Sequence, residues 1–244
     1  MRLLVDLGNS RLKWACSDPG WHVGSTALHG DIAGVLDDVW RALPAPNLVA
    51  MVSVAPREIN ETFEQWVHDR WRVAVHGAKS QAELLGVTNR YLDPSMLGAD
   101  RWVALIGARA ELPNNAVCIV DCGTAVTIDA LTAEGEFVGG VIFPGLGLLR
   151  KALTTGTAHV RAADGDELSC LARSTGDAVA AGTLYGLTGA IERVCYEFEE
   201  ALTQTMKLII TGGDADRIAG RLTRPARRVP DLVLRGLDRI AGTL

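Results

Sequence analysis

Two short segments carry the residue types that handle phosphate and metal. The first is Asp6-Leu7-Gly8-Asn9-Ser10, which follows the apolar run Leu3-Leu4-Val5. The second is Asp121-Cys122-Gly123-Thr124, which follows Val117-Cys118-Ile119-Val120. Each reads as a buried strand ending in a carboxylate, then a glycine turn, then a hydroxyl or amide. A carboxylate at a strand end can hold a hydrated divalent cation beside a nucleotide's phosphates. Gly8 lets the backbone approach phosphate oxygens, and Asn9 and Ser10 supply donors. Lys13 lies one pleat further on, where it can offset phosphate charge. The bland alternative is a β-turn, since Gly-Asn is a common turn pair; the second copy favours the phosphate device. The pattern G-x-x-x-x-G-K-[ST] is absent. Gly77-Ala78-Lys79-Ser80 lacks both the glycine before the lysine and the upstream one.

Further constellations follow. Gly98-Ala99-Asp100-Arg101 sits at an expected helix start. Asp100 there is either a helix cap or a carboxylate general base, and Arg101 suits a substrate carboxylate. Gly139-Gly140 to Pro144-Gly145 packs glycines around an apolar strand, which suits close approach of a ligand or another chain segment. Ser174-Thr175-Gly176-Asp177 precedes a long helix and has capping chemistry. Thr211-Gly212-Gly213-Asp214 is a glycine turn after a buried run, a place for a nucleoside or simply a tight turn.

The elements that must position these residues read as α/β. Strands are expected at Val5 and its neighbours, 11–16, 48–54, 72–75, 117–121, 125–131, 137–143 and 207–211. Helices are expected over 57–70, 100–112, from Pro144-Gly145 through Leu153, and 176–202. The last has an apolar face of Val179, Leu184, Leu187, Ile191 and Val194 that fits a core or an interface. Pro113-Asn114-Asn115 is the candidate boundary, giving domains 1–114 and 115–244 with related logic in each half.

Composition limits the function classes. The chain has 244 residues, 48% hydrophobic and 22% charged, enough for a sizeable core. A net charge of −5 disfavours non-specific nucleic-acid binding. The opening Met1-Arg2-Leu3-Leu4-Val5-Asp6 is not expected to be a signal peptide, and no apolar run approaches membrane-spanning length. Cys16, Cys118, Cys122, Cys170 and Cys195 form no C-x-x-C pair, so reduced, mostly buried thiols in a cytoplasmic protein are expected. The histidines (His22, His29, His68, His76, His159) lack metal-ligand spacing and read as surface or structural. The six tryptophans are scattered, with no base-stacking platform apparent.

Taken together, the chain resembles the type III pantothenate kinases. The likeness rests on Asp6-Leu7-Gly8-Asn9-Ser10 with Lys13, Tyr91, Gly98 to Arg101, Asp121-Cys122-Gly123-Thr124-Ala125 and the Gly139 to Gly145 run. It continues through Thr175, Thr211-Gly212-Gly213 and Pro230-Asp231-Leu232-Val233-Leu234 with Gly236-Leu237. It spans essentially the whole sequence.

The resemblance implies two duplicated ribonuclease-H-like domains in an actin-like ATPase architecture, with nucleotide in the cleft between them. It implies ATP-dependent phosphorylation of pantothenate to 4′-phosphopantothenate, the first step of coenzyme A biosynthesis. Asp6, Leu7, Gly8, Asn9, Ser10, Arg11, Leu12, Lys13 and Thr124 would contact ATP. Asp100 would be the base on the pantothenate hydroxyl. Tyr91, Gly98, Ala99, Asp100, Arg101 and Thr175 would contact pantothenate. Asp6 would hold Mg²⁺ through water, and Asp121 a monovalent cation, K⁺ or NH₄⁺. The family works as a homodimer whose pantothenate pocket is closed partly by the partner. Ser174 departs from the asparagine expected in many members. Three rivals remain: another small-molecule kinase or phosphatase on the same scaffold, a ribonuclease-H-type nuclease using Asp6, Asp121 and Asp129, and a nucleotide-binding transcription accessory factor.

Overall fold

The computed structural model describes residues 1–17, 20–28, 31–157, 160 and 169–244. His29 and His159 lie outside the described residues. In chain order the first elements are β1 (Arg2–Leu7), β2 (Arg11–Ser17), β3 (Trp21–Ala27), α1 (Ile32–Trp40), β4 (Leu48–Ser53), α2 (Arg57–Trp71) and β5 (Val75–Gly77). The short pair β6 (Glu83–Leu84) and β7 (Val87–Asn89) precedes α3 (Ala99–Glu111). Then come β8 (Val117–Cys122), β9 (Ala125–Leu131), β10 (Glu136–Pro144), α4 (Leu146–Gly156) and α5 (Thr175–Leu202). The chain closes with β11 (Lys207–Thr211), α6 (Ala215–Ala219), β12 (Ala226–Arg228) and α7 (Leu232–Ala241).

These elements divide into two compact units, Met1–Glu111 with Asp231–Leu244, and Leu112–Pro230. In the first, the strand order is β3-β2-β1-β4-β5. β1, β2 and β3 are antiparallel neighbours, and β4 and β5 continue parallel to β1. In the second, the corresponding strands run β10-β9-β8-β11-β12. Again three are antiparallel and two continue parallel. Third-second-first-fourth-fifth is therefore written twice, which is the duplication expected from the repeated carboxylate turns.

The expected second domain, 115–244, differs from the second unit at its end, because α7 packs on α3 of the first. Two glycines make that crossing close. A Cβ on Gly236 would land on the Val103 carbonyl and 3.0 Å from Gly107 N, and one on Gly107 would lie 2.5 Å from Leu232 O. The strongly amphipathic Leu232–Ala241 segment buries Leu232, Val233, Leu234, Leu237 and Ala241 there.

The first core sets Leu3, Val5, Leu7 and Leu12 against Leu36, Trp40, Phe63 and Val67 of α1 and α2. Four tryptophans that look scattered in sequence converge here. Trp40 lies within 5.8 Å of Trp14 and Trp66 and 6.1 Å of Trp71, centroid to centroid. They act as packing, with Trp14 edge-on to Trp40 and Trp66 and Trp71 tilted against it. The second core sets Cys118, Val120, Val126 and Ile128 against Leu184, Leu187, Ile191 and Cys195 of α5. That settles the α5 face: Leu184, Leu187 and Ile191 belong to the core. His22, His68 and His76 are exposed.

Candidate active site

In the first unit the site grows out of the β1–β2 hairpin. Its turn closes with Gly8 N–H donating to Arg11 O at 3.0 Å, which leaves Asn9, Ser10 and Arg11 on the surface. Leu7 and Leu12 are fully buried core side chains, so only their main chain can meet a ligand. The antiparallel register sets Asp6 opposite Lys13, and Lys13 Nζ lies 3.5 Å from Asp6 Oδ2. Asp6 is 8% exposed. Burial pushes its carboxyl above the ordinary range; Lys13 pulls it down, and the nearby Asp100 pushes it up again. The negative charge of Asp6 is thus under-compensated, which suits a carboxylate that works beside a cation.

Asp100 sits in the first turn of α3. Its Oδ1 accepts a hydrogen bond from Arg101 N–H at 2.8 Å, and a carboxylate is electrostatically favoured at that helix end. Asp100 thus stands at the helix start, where the sequence places it. Arg101 is 7% exposed and donates from Nη1 to the Tyr91 hydroxyl at 3.0 Å. Its guanidinium also lies 5.8 Å from the Tyr91 ring centroid. Tyr91, Asp100 and Arg101 form one patch with Gly98 and Ala99 in the same turn.

Asn89 is a positioning residue that sequence reading missed. It is 5% exposed. Its Nδ2 donates to Ser80 Oγ and Pro94 O, both at 3.1 Å, while its Oδ1 accepts from Tyr91 N–H at 3.1 Å. One buried amide thereby fixes the turn that presents Tyr91. A lone asparagine after a short apolar stretch gives no such signal in the sequence.

In the second unit, β8 ends in the matching turn. Asp121 faces Thr127 across the ladder, where the first copy has Lys13. The second turn thus keeps the carboxylate and has a threonine at the register position of the lysine. Gly212, at φ +94°, lets the β11 turn close on it: a Cβ there would lie 2.6 Å from Asp121 Oδ1 and 2.5 Å from Cys122 O. Cys122 is buried, and burial together with the charges of Asp121 and Asp214 raises its thiol far above the ordinary range. It is an inert packing residue. Asp214, whose N–H donates to Cys122 O at 3.1 Å, joins Asp121 in this acidic turn. Thr124 is exposed on the same turn.

Thr175 opens α5 and is exposed. Ser174 accepts from Asp177 N–H at 3.1 Å, so serine performs the N-cap where asparagine was expected. Thr175 also lines an apolar cavity of about 690 Å³ with Phe143, Leu149, Val179 and Leu187. Asp129 is buried in β9, and among the described residues no group of three or more His, Cys, Asp or Glu gathers as metal ligands.

The doubled strand order and repeated carboxylate turns are those of the actin-like fold, two ribonuclease-H-like domains. Solved structures agree on the fold. A chain described as a Baf family transcriptional activator from Campylobacter jejuni superposes with TM-score 0.64 at 20% identity, covering 99% of this chain and 98% of that one. MreB 5 of Spiroplasma citri, solved with AMPPNP, gives 0.55 at 11% identity over 99% and 96%. Sequence narrows the class. The family model for type III pantothenate kinase matches residues 2–197. A type III pantothenate kinase from Nitrosococcus oceani is 39% identical over 249 residues, covering 99% of this chain and 94% of the relative. The chain belongs to the type III pantothenate kinase family.

Proposed function

We propose that this chain carries out its family's reaction with Asp100 as the general base and Arg101 as the carboxylate anchor. The activity is ATP-dependent phosphorylation of pantothenate to 4′-phosphopantothenate, the first step of coenzyme A biosynthesis. Phosphoryl transfer leaves the protein mostly positioning and charge stabilisation to do. Asp100 takes the proton of the primary hydroxyl as attack begins. Arg101, held by Tyr91, pairs with the pantothenate carboxylate, and Gly98, Ala99 and Thr175 complete the pantothenate contacts. The hairpin from Asp6 to Lys13 and the exposed Thr124 contact ATP.

The observation that carries this reading is the patch of Tyr91, Asp100 and Arg101 in one unit with an under-compensated Asp6. A base beside a guanidinium fits an acceptor that has both a hydroxyl and a carboxylate.

The donor set fits a hydrated divalent ion held mainly by nucleotide phosphates, since the described residues gather no protein cage. Mg²⁺ would be held by Asp6 through water and would supply charge neutralisation on the phosphates. Asp121 with Asp214 nearby fits a monovalent cation, K⁺ or NH₄⁺. The chain acts in the cytoplasm as a homodimer. The apolar cavity beside Thr175, with the exposed Leu153 on its lining, supports a partner on that face.

A coupled ADP-release assay tests the reading. Release should require pantothenate, and should not appear with sugars, acetate or glycerol. Running it in potassium, ammonium and sodium tests the cation, and light scattering tests the dimer. Release that is independent of pantothenate, or greater with another acceptor, would overturn the assignment of the acceptor.

A further inference from the structure

Within the second unit, a thiol pair stands apart from the kinase residues. Cys118 on β8 and Cys195 on α5 are 77 positions apart in sequence, and their sulfurs lie 2.8 Å from each other. Both are fully buried, and both are free thiols. A disulfide sets its sulfurs about 2.05 Å apart, so closure needs less than about 1 Å of movement.

Beside its apolar core contacts, Cys195 has a charged flank. Glu192 and Glu199 bracket it at three residues before and four after, on the same face of α5. Glu192 accepts from the Thr223 hydroxyl at 2.6 Å. Glu199 accepts from Arg224 Nη2 at 2.6 Å and from Met206 N–H at 2.9 Å. The two glutamates thus staple the 223–224 segment over the cysteine. Arg224 Nη1 is buried without a hydrogen-bond partner, and its guanidinium lies beside the Cys195 sulfur. The hydrogen bond shared with Cys118 and the charge of Arg224 lower the Cys195 thiol despite its burial. The guanidinium beside Cys195 favours its thiolate, the form that attacks a peroxide.

We propose that Cys118 and Cys195 form an oxidisable dithiol that a small hydroperoxide converts to a reversible disulfide. The Cys195 thiolate attacks one peroxide oxygen. The S–O bond forms, the O–O bond breaks, and hydroxide leaves to take up a proton as water. Sulfur is oxidised by two electrons and the peroxide is reduced by two. Cys118 then attacks the sulfenic sulfur of Cys195. The S–S bond forms, the S–O bond breaks, and the hydroxyl leaves with the Cys118 proton as a second water. Burial of both sulfurs restricts the oxidant to small molecules. The bond would tie α5 to β8 at a point three residues before Asp121.

The full-length protein, reduced and then treated with hydrogen peroxide, is alkylated after unfolding and mapped by mass spectrometry. The expected result is a Cys118–Cys195 linked peptide that dithiothreitol reverses. In Cys118→Ser, Cys195 should instead be trapped by dimedone as sulfenic acid, and Cys195→Ser should give neither product. The proposal is overturned if both cysteines remain fully alkylatable at a peroxide dose that oxidises the exposed Cys170. It is also overturned if glutathione disulfide forms a stable adduct at either one in the folded protein.

Discussion

Lys13 stands directly opposite Asp6 across the β1–β2 ladder, its Nζ 3.5 Å from Asp6 Oδ2. The pair is a consequence of register: a two-strand hairpin closed by Gly8 brings position 6 against position 13 and puts both on one face. The cation does not fully offset burial, because the Asp6 carboxyl stays above its ordinary range. The second copy repeats the geometry with Thr127 opposite Asp121. The two turns therefore differ in the residue opposite the carboxylate, a lysine in the first and a threonine in the second.

Asp6 should cost stability when no nucleotide is bound. A carboxyl raised in the fold contributes stability below its unfolded value, near pH 4, and loses it as pH rises through the folded value. Asp6→Asn removes that cost. The melting temperature of the ligand-free variant should exceed wild type at pH 7, by about 2–4 °C for each ~1 kcal/mol recovered. The gap should shrink toward zero as pH falls to about 4. Activity with Mg²⁺-ATP should be lost. Thermal scans from pH 4.5 to 7.5 check the sign.

Arg101→Ala should raise the pantothenate KM by about 10–100-fold, the equivalent of one charge-assisted contact of ~1.5–3 kcal/mol. Its kcat should change less, and the KM for ATP should hold. Tyr91→Phe, which removes only the hydroxyl that accepts from Arg101 Nη1, should give a smaller rise in the same constant. Steady-state kinetics in both substrates separates these outcomes. An unchanged pantothenate KM in Arg101→Ala would contradict the anchoring role.

Gly236→Ala should wedge α7 away from α3, because its Cβ would meet the Val103 carbonyl and Gly107 N. Overpacking of this kind costs about 1–3 kcal/mol. Gly189→Ala on α5, where no atom lies within 4 Å of the added Cβ, should be neutral or stabilise by up to ~1 kcal/mol. Denaturant melts of the two variants give the contrast.

Much of this was legible in the sequence. Apolar runs capped by Asp-x-Gly located β1 and β8, and the spacing of Ile59, Phe63, Trp66 and Val67 located α2. The edge strand β3 was missed because its residues are exposed or half-buried, with no buried position to set a period. α7 was seen only as a closing motif, since nothing local says that a terminal helix returns to the first unit. Asn89 was missed for a related reason: it is a single polar residue whose role comes from the turn it completes. The tryptophans looked scattered because convergence on Trp40 is a tertiary fact.

Asp100→Asn measures the central claim most directly. The substitution keeps the size of the side chain and the oxygen that accepts from Arg101 N–H, and removes the basic charge. Pantothenate-dependent ADP release should fall by ~10²–10⁴ in kcat, while the affinity for ATP, read by calorimetry, should stay within a few-fold of wild type. Turnover within a few-fold of wild type would remove Asp100 from the role of base and contradict the account.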